Sequence, residues 1–170
     1  KRIALDWFES YGAGVIKITA LPAQHWSKRK FFGDNTMLWA SYMVEAGKRK
    51  YYWVGDSGYY QGFKEIGEKF GPIAAFFVPI GAYEPRWFMK TYHMNPEEAL
   101  QAAKDVVART FIPIHWGPFD LTDEPLDFPI KRLKEIYEVT PFYKGGLGGI
   151  EGKKNPVLKI LEHGGAVIFE

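Results

Sequence analysis

Apolar and polar positions along this chain follow two periods, and each period predicts an element. Residues 15–20 (Val-Ile-Lys-Ile-Thr-Ala) alternate around Lys17 and Thr19, the pattern of a half-buried strand, and Leu21-Pro22 ends the run. Residues 38–44 and 50–54 read as neighbouring strands joined in a hairpin through Glu45-Ala46-Gly47. Phe63, Ile66, Gly67 and Phe70 recur at helical spacing with charged residues between them, and Gly71-Pro72 stops that helix. Residues 73–78 are continuously apolar, as in a strand covered on both faces. Residues 79–87, rich in Gly, Pro and aromatics, read as a loop. Asn95-Pro96-Glu97-Glu98 combines a capping amide, a proline at the first helical position and acids against the helix dipole, predicting a helix to about residue 108.

Residues 111–114 predict a further strand, and 121–129 an acidic, Pro-containing loop. Residues 130–138 predict a helix with Ile130, Leu133, Ile136 and Tyr137 on one side. The glycines of 145–149 are too irregular for a phosphate cradle and read as loop. Residues 157–161 and 166–169 predict a closing hairpin through His163-Gly164-Gly165. Residues 3–8 already look like the inside of a fold. The alternation of strand and helix after an opening hairpin predicts an α/β unit over 1–170, about six or seven strands against three helices.

Three predicted strands end in a side chain able to hold a metal. The run Tyr51-Tyr52-Trp53-Val54 stops at Gly55-Asp56-Ser57-Gly58, which puts Asp56 at a strand's C-terminal end, where α/β sheets usually place their chemistry. Alone, Asp56 would be read as a turn organiser. His25, after Leu21-Pro22-Ala23-Gln24, and His115, after Phe111-Ile112-Pro113-Ile114, repeat the arrangement. The three lie 31 and 59 residues apart, so only the fold could bring them together. Two histidines and an aspartate at adjacent strand ends suit Zn²⁺ or a paired-metal site, the carboxylate bridging two ions through its two oxygens. The plain alternative for each histidine is a partly buried, hydrogen-bonded structural role.

Composition narrows the chemistry further. With 170 residues, 46% hydrophobic and 17% aromatic, the chain has material for a core and lacks the bias of disorder. A net charge of +2, with Lys/Arg scattered apart from Lys28-Arg29-Lys30 and Lys48-Arg49-Lys50, is no nucleic-acid footprint. No run approaches the roughly 18 apolar residues of a transmembrane segment. With no cysteine, any metal must sit on imidazole and carboxylate. The chain opens on Lys1, with neither initiator Met nor signal peptide, which suggests a piece of a longer protein. The expected location is cytoplasmic, with peripheral contact at a membrane surface left open.

Several motifs together carry a family resemblance. Pro22-Ala23-Gln24-His25-Trp26-Ser27-Lys28-Arg29, Gly55-Asp56-Ser57-Gly58-Tyr59, Phe63-Lys64-Glu65-Ile66-Gly67 and Gly81-Ala82-Tyr83-Glu84-Pro85-Arg86-Trp87-Phe88-Met89 are four of them, followed by His93-Met94-Asn95-Pro96-Glu97-Glu98-Ala99 and Ile114-His115-Trp116-Gly117. They resemble the C-terminal half of the N-acylphosphatidylethanolamine-hydrolysing phospholipase D family and its bacterial relatives, which are metallo-β-lactamase-fold hydrolases. The resemblance runs almost continuously over residues 5–126. It implies an αββα sandwich of two similar halves, this chain forming the C-terminal one as a mixed sheet with helices on one face. It further implies two zinc ions at one edge between the halves, with His25 and Asp56 and His115 as ligands and Asp56 as the bridge.

The same resemblance makes Asp56 and His93 the catalytic candidates, His93 being a pocket histidine facing the phosphate. Tyr83, Glu84 and Arg86 would sit in a loop near that pocket, and Trp26 and Trp116 would wall the site. The family's His-x-His-x-Asp-His motif is absent here, where the histidines are His25, His93, His115 and His163. The implied partner is therefore a missing N-terminal half or a second chain, a homodimer included. The implied function is a zinc phosphodiesterase acting on N-acylphosphatidylethanolamine-like lipids. Two alternatives stand beside it: a metal-dependent lactonase or esterase acting on a phosphorylated sugar, and an inactive fragment that only packs on a partner half.

Overall fold

The computed structural model describes residues 2–27, 37–139, 156–162 and 164–169. The loop expectations at Lys28-Arg29-Lys30 and 145–149, and His163, lie outside the described residues. A single sheet in the order β1-β2-β3-β4-β5-β6-β7 organises the rest. Strands β1 (Ser10–Ala13), β2 (Ile16–Pro22), β3 (Ala40–Ala46) and β4 (Arg49–Trp53) run antiparallel to their neighbours. From β4 onward, β5 (Ala75–Pro79), β6 (Thr110–Ile114) and β7 (Val157–Leu158) add in parallel. Helices α1 (Gly62–Phe70), α2 (Arg86–Met89), α3 (Pro96–Asp105) and α4 (Phe128–Val139) make the crossovers that parallel pairing requires.

Alternation along the strands divides the sheet into two unlike faces. Leu21, Met43, Tyr52, Phe76, Val78 and Phe111 point to one side and are fully buried. There they meet Phe63 and Ile66 of α1, Leu100 and Ala103 of α3, and Leu133 of α4 in one core. The Tyr52 hydroxyl, withdrawn from water, is satisfied by Ser41 Oγ at 3.0 Å, and burial pushes its pKa well above the usual tyrosine value. On the opposite face Tyr11, Ile16, Tyr42 and Trp53 remain more than a third exposed. The C-terminal segment covers part of that face: the Phe169 ring packs tilted against Tyr51 with centroids 5.5 Å apart, and its carbonyl accepts from Arg49 Nη1 at 2.8 Å.

Three expectations are corrected. Residues 3–8 are not interior: Ile3 and Phe8 are 40% and 46% exposed, because the segment leads into β1, the edge strand of the sheet, whose residues are all exposed. The closing hairpin is replaced by the parallel pairing of Val157 and Leu158 with β6, and 166–169 is not a strand. The loop predicted over 79–87 ends early in the short helix α2.

Candidate metal centre

Strand direction explains why distant residues meet. Because β3 is antiparallel to both β2 and β4, strands β2, β4, β5 and β6 all point the same way. Their C-terminal ends therefore share one edge of the sheet, and the segments that leave it carry His25, Asp56, His93 and His115. His25 Nε2 lies 3.4 Å from His93 Nε2, and the two rings meet edge to face with centroids 5.1 Å apart. His115 Nε2 lies 3.5 Å from Asp56 Oδ1, and the His93 and His115 rings are 5.3 Å apart. His115 itself sits at φ 56°, a left-handed conformation uncommon outside glycine, just past the end of β6.

Among the described residues no group of three His, Asp or Glu side chains is placed to hold an ion, whereas zinc sites normally take three or four protein ligands. His25, Asp56 and His115 are the side chains that could hold ions here, with His93 beside them, and among the described residues they make no complete site. The His93 ring is 9% exposed: its Nε2 faces His25, and its Nδ1 is buried without a hydrogen-bond partner. Burial, then the neighbouring His115 and His25, lowers its pKa to about 4, so it stands neutral with a lone pair available.

Other candidates form the frame. Trp26 stacks on His25 at 5.9 Å and is half exposed, while Trp116 packs against the core. Tyr83 is buried, and burial raises its hydroxyl pKa to about 12. Arg86 is held by several partners: Nη2 meets both carboxylate oxygens of Glu98 at 2.8 Å, and Nη1 donates to the carbonyls of His93 and Tyr83 at 3.0 and 3.4 Å. Glu84 accepts the Arg86 N–H at 2.9 Å. The guanidinium, expected near the pocket, ties the His93 segment to α3 because Glu98 offers it both carboxylate oxygens. Glu124, which no sequence signal marked, is 7% exposed and accepts the N–H groups of Tyr83 and Glu84 at 3.1 and 3.0 Å.

Likeness to known proteins shows the family. The sequence profile of the Beta-lactamase superfamily domain matches residues 1–116, ending one residue beyond His115. The chain belongs to this superfamily. It is 44% identical over 140 residues to N-acyl-phosphatidylethanolamine-hydrolyzing phospholipase D 1 of Caenorhabditis elegans, covering 79% of this chain and 39% of that protein. The mitochondrial N-acyl-phosphatidylethanolamine-hydrolyzing phospholipase D of Saccharomyces cerevisiae is 34% identical over 143 residues, covering 80% of this chain and 31% of the relative. Igni18, a metallo hydrolase from Ignicoccus hospitalis, superimposes with a TM-score of 0.65 at 18% identity, covering 99% of this chain and 60% of that one, which is a likeness of fold. The chain thus spans well under half the length of these two curated relatives. For this superfamily member the mixed seven-stranded sheet is part of a metallo-β-lactamase fold, and membership implies a divalent metal.

Proposed function

We propose that this chain supplies half of a dinuclear zinc centre in a phosphodiesterase that cleaves N-acylphosphatidylethanolamine-like lipids. The observation that carries the reading is the convergence of His25, Asp56 and His115, with His93 between them, on one sheet edge. Identity of 44% to the C. elegans phospholipase supports the substrate class. In this reading Asp56 bridges, His25 and His115 anchor one ion each, and His93 faces the substrate phosphate. The remaining donors come from an N-terminal half bearing His-x-His-x-Asp-His, in the same polypeptide or in a second chain. Bound zinc would supply an acidified water and charge stabilisation at phosphorus. Solvent-exposed Trp87 and half-exposed Phe88, linked through Tyr92 to His25 by successive ring contacts, give the rim an apolar surface suited to a lipid.

A panel on the full-length protein tests this. N-acylphosphatidylethanolamine vesicles should yield phosphatidic acid and N-acylethanolamine, while phosphorylated sugar lactones and simple esters should not be turned over. Preference for a lactone would replace the lipid reading with the lactonase one. A metal-loaded full-length protein without hydrolase activity would favour a domain that acts only by packing.

A further inference from the structure

The segments carrying His25, Asp56 and His93 are laced together by groups close in sequence to each. Ser57, next to Asp56, is fully buried. Its Oγ accepts the N–H of Gln24 at 2.9 Å and donates to the Gly58 carbonyl at 2.7 Å, and its own carbonyl accepts the N–H of Met94 at 3.1 Å. Gln24 and Met94 are the immediate neighbours of His25 and His93. Gln24 closes the circuit: its carbonyl accepts the Gly58 N–H at 2.8 Å, and its Nε2 donates to the carbonyls of Thr91 and Tyr59 at 2.9 and 3.4 Å. Gly58 lets the segments approach, since a Cβ there would stand 2.2 Å from the Thr91 oxygen.

We propose that Ser57 and Gln24 are positioning residues of the metal centre, forming a hydrogen-bonded keystone that fixes the spacing of His25, Asp56 and His93. The inference rests on the dinuclear reading above. These three groups sit on loops, where backbone position is held by few contacts. His115, by contrast, leaves β6 directly, and its register is set by pairing with β5. One buried hydroxyl and one amide thus set the distances among three of the four converging side chains. Groups that hold ligands in place this way typically affect metal affinity by about 10–100-fold.

The test uses full-length protein with Ser57→Ala, Ser57→Thr and Gln24→Ala. Zn²⁺ affinity is read by competition with a chromophoric chelator, and site geometry by the visible spectrum of the Co²⁺-substituted protein. Ser57→Ala and Gln24→Ala should each weaken Zn²⁺ by about tenfold or more and alter the Co²⁺ bands. Ser57→Thr, which restores the hydroxyl, should stay within about threefold of the parent, a rescue that loss of packing alone would not produce. Unchanged affinity and spectrum in Ser57→Ala, or equal impairment in Ser57→Thr, would overturn the proposal. If Ser57→Ala does not fold, the half-buried Gln24→Ala decides by the same criteria. A parent protein that takes up no zinc would refute the dinuclear reading instead. The keystone is then judged by the imidazole NMR resonances of the metal-free protein: those of His25 and His93 should move in Gln24→Ala, and unmoved resonances would end it.

Discussion

Asp56 and Arg86 show two ways in which a charged side chain serves this site. Asp56 is half exposed beside His115, with carboxylate lone pairs to give to ions in the proposed reading, so Asp56→Asn in the full-length protein should abolish turnover and lower metal content, measured by elemental analysis. Retained activity with full metal would contradict its assignment. Arg86 is committed to Glu98 and the His93 carbonyl through a fork that lysine cannot reproduce. Arg86→Lys should therefore cost about 1–2 kcal/mol in chemical denaturation, the pair being only partly screened from water. An unchanged midpoint would show that the clamp is idle. His25, Asp56 and His115 were legible in the sequence because each follows an apolar run almost directly. The tie made by Arg86 and the acceptor role of Glu124 were not, because both depend on partners 12 and about 40 residues away.

At the scale of elements, local chemistry predicted α3 closely. Asn95 Oδ1 accepts the Glu98 N–H at 2.9 Å and Glu98 Oε2 accepts the Asn95 N–H at 3.2 Å, a complete capping box. Asn95→Ala should cost about 1 kcal/mol of unfolding free energy; no loss would mean that packing alone sets the helix start. Gly67 poses opposing effects. Alanine in the middle of α1 would gain about 1 kcal/mol of helix propensity, yet its Cβ would stand 1.9 Å from the Asp105 carbonyl oxygen. The clash with backbone wins, so Gly67→Ala should lower the melting temperature, and a rise would show that α1 and the end of α3 can separate freely. Strand β1 escaped sequence analysis because its four residues are all exposed and show no apolar alternation. The C-terminal correction has a related cause: the period of a strand reveals its faces but not its partner, and Val157-Leu158 found β6.

Across the whole molecule, one covered and one largely open sheet face express the same asymmetry as the incomplete donor set. Exposed Tyr11, Ile16, Tyr42 and Trp53 share the open face, and large exposed apolar patches commonly mark a surface that takes a partner. The chain expressed alone should self-associate or bind a hydrophobic dye, read by light scattering and fluorescence; a dye-silent monomer would contradict an unmet face. Among the described residues no helix is long and apolar enough to cross a membrane. The convergence of four side chains follows from strand direction, which the sequence suggested only by placing three of them after predicted strands. The most direct test of the dinuclear account is anomalous X-ray scattering at the zinc edge from crystals of the full-length protein. It should show two peaks on this sheet edge, one about 2.0–2.1 Å from a ring nitrogen of His25 and the other at that distance from His115, with an Asp56 oxygen about 2.0–2.2 Å from each. Peaks bound elsewhere, or none beside these three residues in zinc-loaded crystals, would contradict it.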